Sequence, residues 1–162
     1  MTNLNNQAIS LFYSYSHQDE AYRQLLEKHL ALLQRQGVIA TWHDRLIEAG
    51  AVWETALKQH LDSAQLILLL ISPDFIASDY CYDIEMKRAL ERHAAGTARV
   101  IPVALRPVDH QAAPFMQLQG LPSGFKPVTE WDNLDRAFAD IASGIRQAAG
   151  RFHPHPAVPH RL

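Results

Sequence analysis

The fold is decided by the stretch Leu66-Ile67-Leu68-Leu69-Leu70-Ile71, which Ser72-Pro73 follows. A strand made only of apolar side chains is buried on both faces, which is typical of a central strand in a parallel sheet. Ser72-Pro73 ends the strand, because proline has no amide hydrogen to donate to a neighbouring strand. The run is also far shorter than the about 20 residues that a membrane-spanning helix needs. We therefore interpret residues 66–71 as the central strand of an α/β sheet.

Strand-like and helix-like segments alternate on both sides of this run. Further strands are predicted at residues 8–13, 38–42 and 99–105, with a short fifth strand at 126–129. Pro102, inside the fourth strand, indicates a bulge or an edge position. Segments with apolar residues at helical spacing separate these strands. The alternation predicts a flavodoxin-like three-layer α/β fold, with about five parallel strands and helices on both faces.

The length of 162 residues fits one domain with short tails. Hydrophobic residues make up 48% and charged residues 20%, so a disordered chain or a fibre is not expected. Pro154, Pro156 and Pro159 lie close together and exclude a helix or a central strand there. We predict an N-terminal tail at 1–7, a domain at 8–149 and, at 150–162, a Pro/His-rich tail or linker to another domain.

Charge and cysteine content restrict the class of function. The formal net charge is -2, so no basic excess indicates binding to nucleic acid or to an anionic membrane. The N-terminus has no positive region and no long apolar core, so a signal peptide is not expected. Cys81 is the single cysteine, which excludes an internal disulfide bond and a multi-cysteine zinc site. A single cysteine suits a reducing compartment, so we expect a cytoplasmic protein. We expect no bound metal, because the histidines lack the spacing of metal ligands.

Polar and aromatic side chains follow three of the predicted strands. The first strand ends in Tyr13-Ser14-Tyr15-Ser16, the second ends in Trp42-His43-Asp44-Arg45, and the third leads through residues 78–81 to Glu85. Ligands of open α/β sheets bind outside the carboxyl ends of the strands, so these residues are expected at one site. Rings, hydroxyls, carboxylates and an arginine suit a ligand with a flat ring, a sugar and phosphates. The Walker, G-x-G-x-x-G and G-x-S-x-G motifs are absent from the sequence.

In this order and spacing, the motifs resemble those of TIR (Toll/interleukin-1 receptor) domains. Residues 9–16, with Asp19 after them, resemble the first box of the family, and residues 42–50 resemble its second box, the BB loop. Residues 68–75 and 78–85 resemble the third strand and the acidic helix that follows it. The later part of the family pattern is matched by Arg99-Val100-Ile101-Pro102-Val103 and Leu121-Pro122. The resemblance covers residues 8–149 and is closer to bacterial TIR domains than to animal receptor adaptors.

The resemblance implies one of two functions. Some TIR domains are scaffolds that assemble through TIR–TIR contacts, and others cleave NAD+ at the nicotinamide–ribose bond. The products are nicotinamide and ADP-ribose, or a cyclic isomer of ADP-ribose. Enzymatic members carry a glutamate on the helix after the third strand, and Glu85 matches it. In many members a Trp lies four positions earlier, where this chain has Cys81.

The resemblance therefore implies that Glu85 is the catalytic residue, that NAD+ is a substrate and that no cofactor is needed. The implied substrate-binding residues are Tyr13, Ser14, Trp42, Asp44, Arg45 and Cys81. The implied oligomerisation residues of the BB loop are Leu46, Ile47, Glu48, Ala49 and Gly50.

Most of these residues also have a simpler structural interpretation. Trp42 is equally typical of a core aromatic at a strand end, and a strand-end tyrosine such as Tyr13 is more often a core residue with a satisfied hydroxyl. Asp44 and Arg45 can order the loop or meet phosphates, but they can also form a surface ion pair of little energy. Cys81 suits a small, buried, apolar position. These alternatives stay open at the level of the sequence.

The chemistry of NAD+ explains why a glutamate is wanted. Nicotinamide departs as a neutral molecule, so it needs no general acid, and positive charge moves onto the ribose. A fixed carboxylate stabilises that charge and accepts hydrogen bonds from ribose hydroxyls. Glu85 lies at the edge of the apolar stripe of its helix. We therefore expect Glu85 to be ionised, with an ordinary pKa of about 4.3.

We predict an NAD+ glycohydrolase of bacterial anti-phage immunity that acts when oligomerised and is controlled by a sensor domain or partner protein. It is expected to bind neither nucleic acid nor membrane. The alternative is a non-catalytic TIR–TIR scaffold for signalling. A receiver-like module is a third interpretation, but it needs acidic residues at the end of the first strand, where Phe12-Tyr13-Ser14 offers none.

Overall fold

The computed structural model describes residues 7–152. Residues 1–6 and 153–162, which make up most of the two predicted tails, lie outside the described residues. Within residues 7–152, no helix has both the length and the apolar character needed to cross a bilayer.

A parallel sheet of four strands forms the middle layer of the fold. The strands are β1 (Ile9–Ser14), β2 (Ile39–Trp42), β3 (Leu66–Ile71) and β4 (Arg99–Ala104). Their order across the sheet is β2-β1-β3-β4, so β1 and β3 are central and β2 and β4 are edges. All six residues of β3 are buried, which confirms the interpretation of the apolar run as a central strand.

The predicted fifth strand at residues 126–129 is wrong. A short 3-10 helix (Val128–Glu130) lies there instead, and the backbone amide of Glu130 donates to the carbonyl of Pro127. Pro127 lacks the amide hydrogen that a strand needs, and this local turn uses the neighbouring backbone groups. In the described part of the chain, the sheet therefore has four strands rather than five.

Pro102 lies in β4 at the edge of the sheet, which confirms one of its two predicted settings. Its carbonyl accepts a hydrogen bond from the amide of Leu121 on the side away from β3. The nitrogen of Pro102, which has no hydrogen to donate, faces the same side and so costs β3 no hydrogen bond. The carbonyl of Leu121 in turn accepts from the amide of Ala104, and a single parallel bridge pairs Leu121 with Val103. A short stretch of loop thus covers the outer side of this edge.

Helices cover both faces of the sheet, as the three-layer prediction requires. The α-helices are α1 (Glu20–His29), α2 (Ala31–Arg35), α3 (Trp53–Ser63), α4 (Pro73–Ala77), α5 (Lys87–Ala94) and α6 (Leu134–Arg151), and a π-helix (Asp79–Met86) precedes α5. One apolar cluster lies between the sheet and the helices α1, α2 and α6. The other lies between the opposite face and α3, α4, the π-helix and α5.

Side chains of β1 alternate between these two clusters. Leu11 and Tyr13 belong to the α1–α6 side, whereas Phe12 belongs to the π-helix side. Because successive residues of a strand point to opposite faces, Ser14 shares the face of Phe12. This places the last residue of β1 beneath the π-helix.

Candidate active site

Glu85 is the centre of the candidate site. It lies in the π-helix, is only 5% exposed, and accepts a hydrogen bond from the Ser14 hydroxyl at 2.5 Å. Ser14 is fully buried at the carboxyl end of β1. The structure thus brings together two of the predicted site residues. They lie at the carboxyl end of the strands, where ligands of open α/β folds bind. The π-helical turn around Glu85 is a conformation that is rare in proteins and frequent at functional sites.

The charge state of Glu85 differs from the sequence-based expectation. Burial raises the pKa of its carboxyl, the hydrogen bond from Ser14 lowers it, and the nearby carboxylate of Asp44 raises it further. The resulting pKa is about 7 rather than the ordinary value of a glutamate. The apolar stripe of the helix predicted a boundary position, but the packed structure buries the carboxyl and so penalises its charge.

Asp44 lies at the end of β2, with its side chain 13% exposed. Its Oδ2 lies 2.7 Å from Nε2 of His17, which comes from the short helix after β1. Its Oδ1 is buried and has no hydrogen-bond partner among the described residues. A buried carboxylate oxygen without a partner is costly, so this atom is suited to accept a hydrogen bond from a ligand.

Arg45 joins the loop after β2 to α1. Its guanidinium is 52% exposed and lies 3.2 Å from Oε1 of Glu20. Burial opposes ionisation of Glu20, but hydrogen bonds from Arg23, Tyr15 and Gln24 outweigh it and lower the pKa of Glu20 to about 2. Glu20 is therefore a permanent anion that can hold Arg45. In this structure Arg45 orders the loop, which was one of its alternative interpretations.

Trp42 packs against other aromatic rings on the same face of the sheet as Glu85. Its indole stacks on the His60 ring with centroids 4.0 Å apart and planes at 7°, and also on Phe12 at 5.5 Å. Burial lowers the pKa of His60, so this ring is neutral near pH 7. Trp42 therefore joins β2 to α3, as its interpretation as a core aromatic predicts.

Tyr13 is not brought together with Glu85. It belongs to the apolar cluster on the opposite face of the sheet, and its hydroxyl donates to Oε1 of Glu27 at 2.7 Å. Burial, followed by the charge of Glu27, raises the pKa of Tyr13 well above its usual value. Its position is that of a core tyrosine with a satisfied hydroxyl.

Cys81 lies one helical turn before Glu85 and is buried. Burial raises the pKa of its thiol to about 12, so the thiol stays protonated and unreactive. The backbone amide of Cys81 donates to Oγ of Ser78, which caps the start of the π-helix. Cys81 thus contributes a small apolar wall beside Glu85.

The predicted BB loop is mostly exposed. Leu46, Glu48, Ala49 and Gly50 are exposed and Ile47 is half-buried, so an apolar side chain at position 46 faces solvent. Gly50 has a φ of 86°, a conformation that residues with a Cβ rarely adopt. The loop continues directly into Val52 and Trp53, which are also exposed.

Comparison with known proteins assigns this architecture to a family. The family model described as "TIR domain" matches residues 11–142. The chain is a TIR domain. A Sinorhizobium fredii protein named "Uncharacterized protein y4lF" is 55% identical over 150 residues, which are 93% of this chain and 46% of that protein. The chain therefore spans about half the length of this relative.

Two solved structures share the fold of this TIR domain. The TIR domain of the Toll-related receptor TRR-2 from Hydra magnipapillata is 19% identical, with a TM-score of 0.53 over 79% of this chain and 96% of that chain. The TIR domains of the activated Roq1 resistosome, which recognises the effector XopQ, are 20% identical, with a TM-score of 0.52 over 89% of this chain and 85% of that chain.

Two features near the site of this TIR domain were missed by sequence reasoning. The first is an aromatic pair, in which the Trp53 ring lies 4.9 Å from the Tyr80 ring. Trp53 is the first residue of α3 and is 41% exposed, whereas Tyr80 is in the π-helix. Burial, followed by the charge of Glu85, raises the pKa of Tyr80. No sequence signal joins these two residues, because the contact depends on how α3 packs.

The second missed feature is a partly buried polar cluster at the carboxyl ends of β1, β3 and β4. Asp19 is almost fully buried, accepts a hydrogen bond from the Ser72 hydroxyl and pairs with Arg106 at 2.9 Å. Arg106 also pairs with Asp74. Ser72 also caps α4 by accepting from the amide of Phe75. In residues 7–152, no group of three or more His, Cys, Asp or Glu side chains is arranged to hold a metal ion.

Proposed function

We propose that this TIR domain is an NAD+ glycohydrolase and that Glu85 is its catalytic carboxylate. One observation carries the proposal: a buried glutamate, hydrogen-bonded to Ser14, lies at the carboxyl ends of the strands of a TIR fold. Burial of a carboxyl costs stability, so a glutamate in this setting is a candidate for a functional rather than a structural role. The bond cleaved is the one between nicotinamide and ribose.

In the proposed reaction, the bond between the anomeric carbon and the pyridinium nitrogen breaks. Its electron pair goes to nicotinamide, which leaves neutral, and the ribose becomes oxocarbenium-like. The Glu85 carboxylate stabilises this charge at close range in a water-poor site. Water then adds to the anomeric carbon and releases a proton to solvent, which gives ADP-ribose. Attack by a nitrogen of the adenine, with loss of its proton if it carries one, gives a cyclic isomer instead.

Asp44 supplies a second acidic group. Its buried Oδ1 without a partner suits a ribose hydroxyl, and the contact of Oδ2 with His17 fixes the orientation of the carboxyl. A negative charge here disfavours a phosphate, so we assign Asp44 to the sugar rather than to the pyrophosphate. Trp53 and Tyr80 offer a partly exposed aromatic surface near Glu85 for a flat ring.

Access to Glu85 requires movement, because only 5% of this residue is exposed. The loop at residues 43–50 is tied to the domain by the Arg45–Glu20 pair and the His17–Asp44 pair. One partner of each pair, Arg45 or His17, is 52% exposed, so breaking these two contacts costs little. We propose that contact between copies, through Leu46 and the neighbouring apolar residues, stabilises the open form. A TIR domain on its own would then be nearly inactive.

The biological setting is proposed to be bacterial immunity against phage in the cytoplasm. The S. fredii relative is about twice as long as this chain, which supports a sensor domain or other partner in addition to the TIR domain. Clustering by that partner would deplete NAD+ or generate a nucleotide signal.

The test is release of nicotinamide from NAD+ by protein clustered through a fused dimerisation tag or a crowding agent. Glu85→Gln removes the charge but keeps an oxygen that can accept the Ser14 hydrogen bond, so the variant should fold normally and lose turnover. Glu91→Gln, on the exposed surface of α5, is the matched control and should keep full turnover. Equal turnover of wild type and Glu85→Gln would remove Glu85 from the mechanism.

A non-catalytic TIR–TIR scaffold is the second candidate, and the exposed apolar side chain of Leu46 in the BB loop favours it. Leu46→Glu distinguishes the two, since it should weaken self-association in both cases but reduce nicotinamide release only in an enzyme. If clustered wild type releases no nicotinamide while still associating, the scaffold is the correct function.

A further inference from the structure

A cavity lies at the opposite end of the sheet from Glu85. Its volume is about 480 Å³, and it is bounded by α5, β4, the segment at residues 117–121 and α6. Arg99, which lines it, is the first residue of β4, whereas Ser14 and Glu85 lie at the carboxyl end of the strands. The cavity is therefore separate from the candidate active site.

The lining of this cavity is rich in hydrogen-bond donors and poor in negative charge. Arg99 and Arg151 both line it, and neither forms an ion pair within residues 7–152. None of the residues that line it is an aspartate or a glutamate. Its amide side chains are those of Gln117, Gln119 and Gln147. Two guanidinium groups without carboxylate partners create a positive potential that attracts an anion.

His93 adds a further donor. Its Nδ1 accepts the backbone amide hydrogen of Val100 at 3.0 Å, so the neutral ring carries its hydrogen on Nε2. Burial, followed by the charge of Arg99, lowers the pKa of His93, which keeps the ring neutral near pH 7. A bound anion would reverse part of this effect and favour the protonated ring.

The wall of the cavity is fixed by the fold. The backbone of Leu121 is hydrogen-bonded to Pro102 at 2.9 Å and to Ala104 at 2.8 Å. Its side chain lies against Gly144 of α6, where a Cβ would come within 2.6 Å of Cδ2. The segment before Leu121 is thus anchored at its end, which fixes the backbone of this wall before a ligand enters.

We propose that this cavity is a binding site for a phosphorylated small molecule of the size of a nucleoside monophosphate. A guanidinium group can donate two parallel hydrogen bonds to the oxygens of a phosphate. The volume of the cavity falls within the range of about 300 to 1,000 Å³ that is typical of ligand pockets. The proposal is independent of NAD+ cleavage, because it involves none of the residues around Glu85.

Isothermal titration of the full chain with AMP, inorganic phosphate and adenosine tests the proposal. AMP should bind, adenosine should not, and the ratio of AMP to phosphate affinity reports whether the site takes a nucleotide or the bare anion. Arg99→Gln and Arg151→Gln should each weaken binding by about tenfold or more, because each removes charge-assisted hydrogen bonds. Arg146→Gln, an exposed arginine of α6 outside the cavity, should leave the affinity unchanged.

The location is checked by two further measurements on the same samples. Amide NMR shifts on addition of AMP should concentrate at His93, Gly144 and Gln147, and Glu85→Gln should bind AMP as tightly as wild type. The proposal is overturned if neither AMP nor phosphate binds at about 10 mM. It is also overturned if the Arg99→Gln/Arg151→Gln double variant binds normally, or if Glu85→Gln abolishes binding.

Discussion

The Ser14 hydroxyl donates to the Glu85 carboxyl across 2.5 Å, and this bond joins two residues that are 71 positions apart in the sequence. It connects the end of β1 to the π-helix in the buried interior. Three influences meet at this carboxyl: burial and Asp44 disfavour its ionised form, while Ser14 favours it. Their balance puts the pKa of Glu85 at about 7, so its charge changes within the physiological pH range.

Substitution of the two neighbours should move this pKa in opposite directions. Ser14→Ala removes a hydrogen bond to the ionised form and should raise the pKa of Glu85 further. Asp44→Asn removes a nearby negative charge and should lower it. A titration of the side-chain carboxyl by carbon-13 NMR measures both shifts. A shift of the same sign in both variants would contradict this assignment of causes.

The stability of the domain should depend on pH through the same group. The pKa of Glu85 rises from 4.5 to about 7 on folding, so between these values the unfolded chain loses its proton while the folded chain keeps it. The free energy of unfolding should therefore fall as the pH rises through this window, by about 3 kcal/mol in total, and stay constant above it.

Glu85→Gln is the reference for this prediction, because it lacks the titrating proton but keeps the size of the side chain. Urea unfolding of both proteins from pH 4 to 8 gives the difference at each pH. Parallel curves for wild type and Glu85→Gln would show that Glu85 keeps an ordinary pKa.

Arg92 should be essential for stability although it pairs with no carboxylate in the described part of the chain. Its buried guanidinium donates to the backbone carbonyls of Leu61 and Thr97 at 2.9 and 2.8 Å and to that of Ala64 at 2.5 Å. Arg92→Met leaves these carbonyls without a donor, so the free energy of unfolding should fall by about 2 to 4 kcal/mol.

The matched control for Arg92 lies one helical turn earlier. Arg88 is half-exposed and pairs with Asp62 at 2.8 Å. Arg88→Met should lower the free energy of unfolding by less than about 1 kcal/mol, because exposed ion pairs contribute little. Similar losses in the two variants would mean that the carbonyl contacts of Arg92 are not what stabilises the domain.

Sequence patterns predicted the layers of the fold but not all of its contacts. Burial on both faces of β3 follows from its composition alone, whereas the fifth strand failed because Pro127 favours a local turn. Asp19 follows the first family box in the sequence, yet its partners Ser72 and Arg106 lie 53 and 87 positions away. Such contacts depend on strand order, which hydrophobic periodicity does not encode.

The candidate site shows the same division. Convergence of Ser14, Asp44 and Glu85 could be predicted from their positions in the sequence. Ser14 ends β1, Asp44 follows β2, and Glu85 lies on a helix that follows β3. The raised pKa could not, since it depends on the depth of burial. Strand-end position also misplaced Tyr13, because the alternation of side chains turns it to the opposite face.

Two glycines of α6 should respond in opposite ways to substitution by alanine. A Cβ at Gly144 would come within 2.6 Å of Leu121, so Gly144→Ala should lower the free energy of unfolding by about 1 to 3 kcal/mol. A Cβ at Gly150 would have no neighbour within 4 Å, and alanine is the better helix former. Gly150→Ala should therefore raise the free energy of unfolding by up to about 1 kcal/mol. Thermal melts of both variants decide the signs.

The outer edge of β4 also limits how another copy of this chain can associate with the sheet. An incoming strand needs a row of free amides and carbonyls, but Pro102 has no amide hydrogen, and Leu121 already occupies its carbonyl and the amide of Ala104. Continuous ladders of the amyloid kind are thus blocked at this margin. A second copy that contacts this margin must therefore do so through side chains and loops rather than through an added strand.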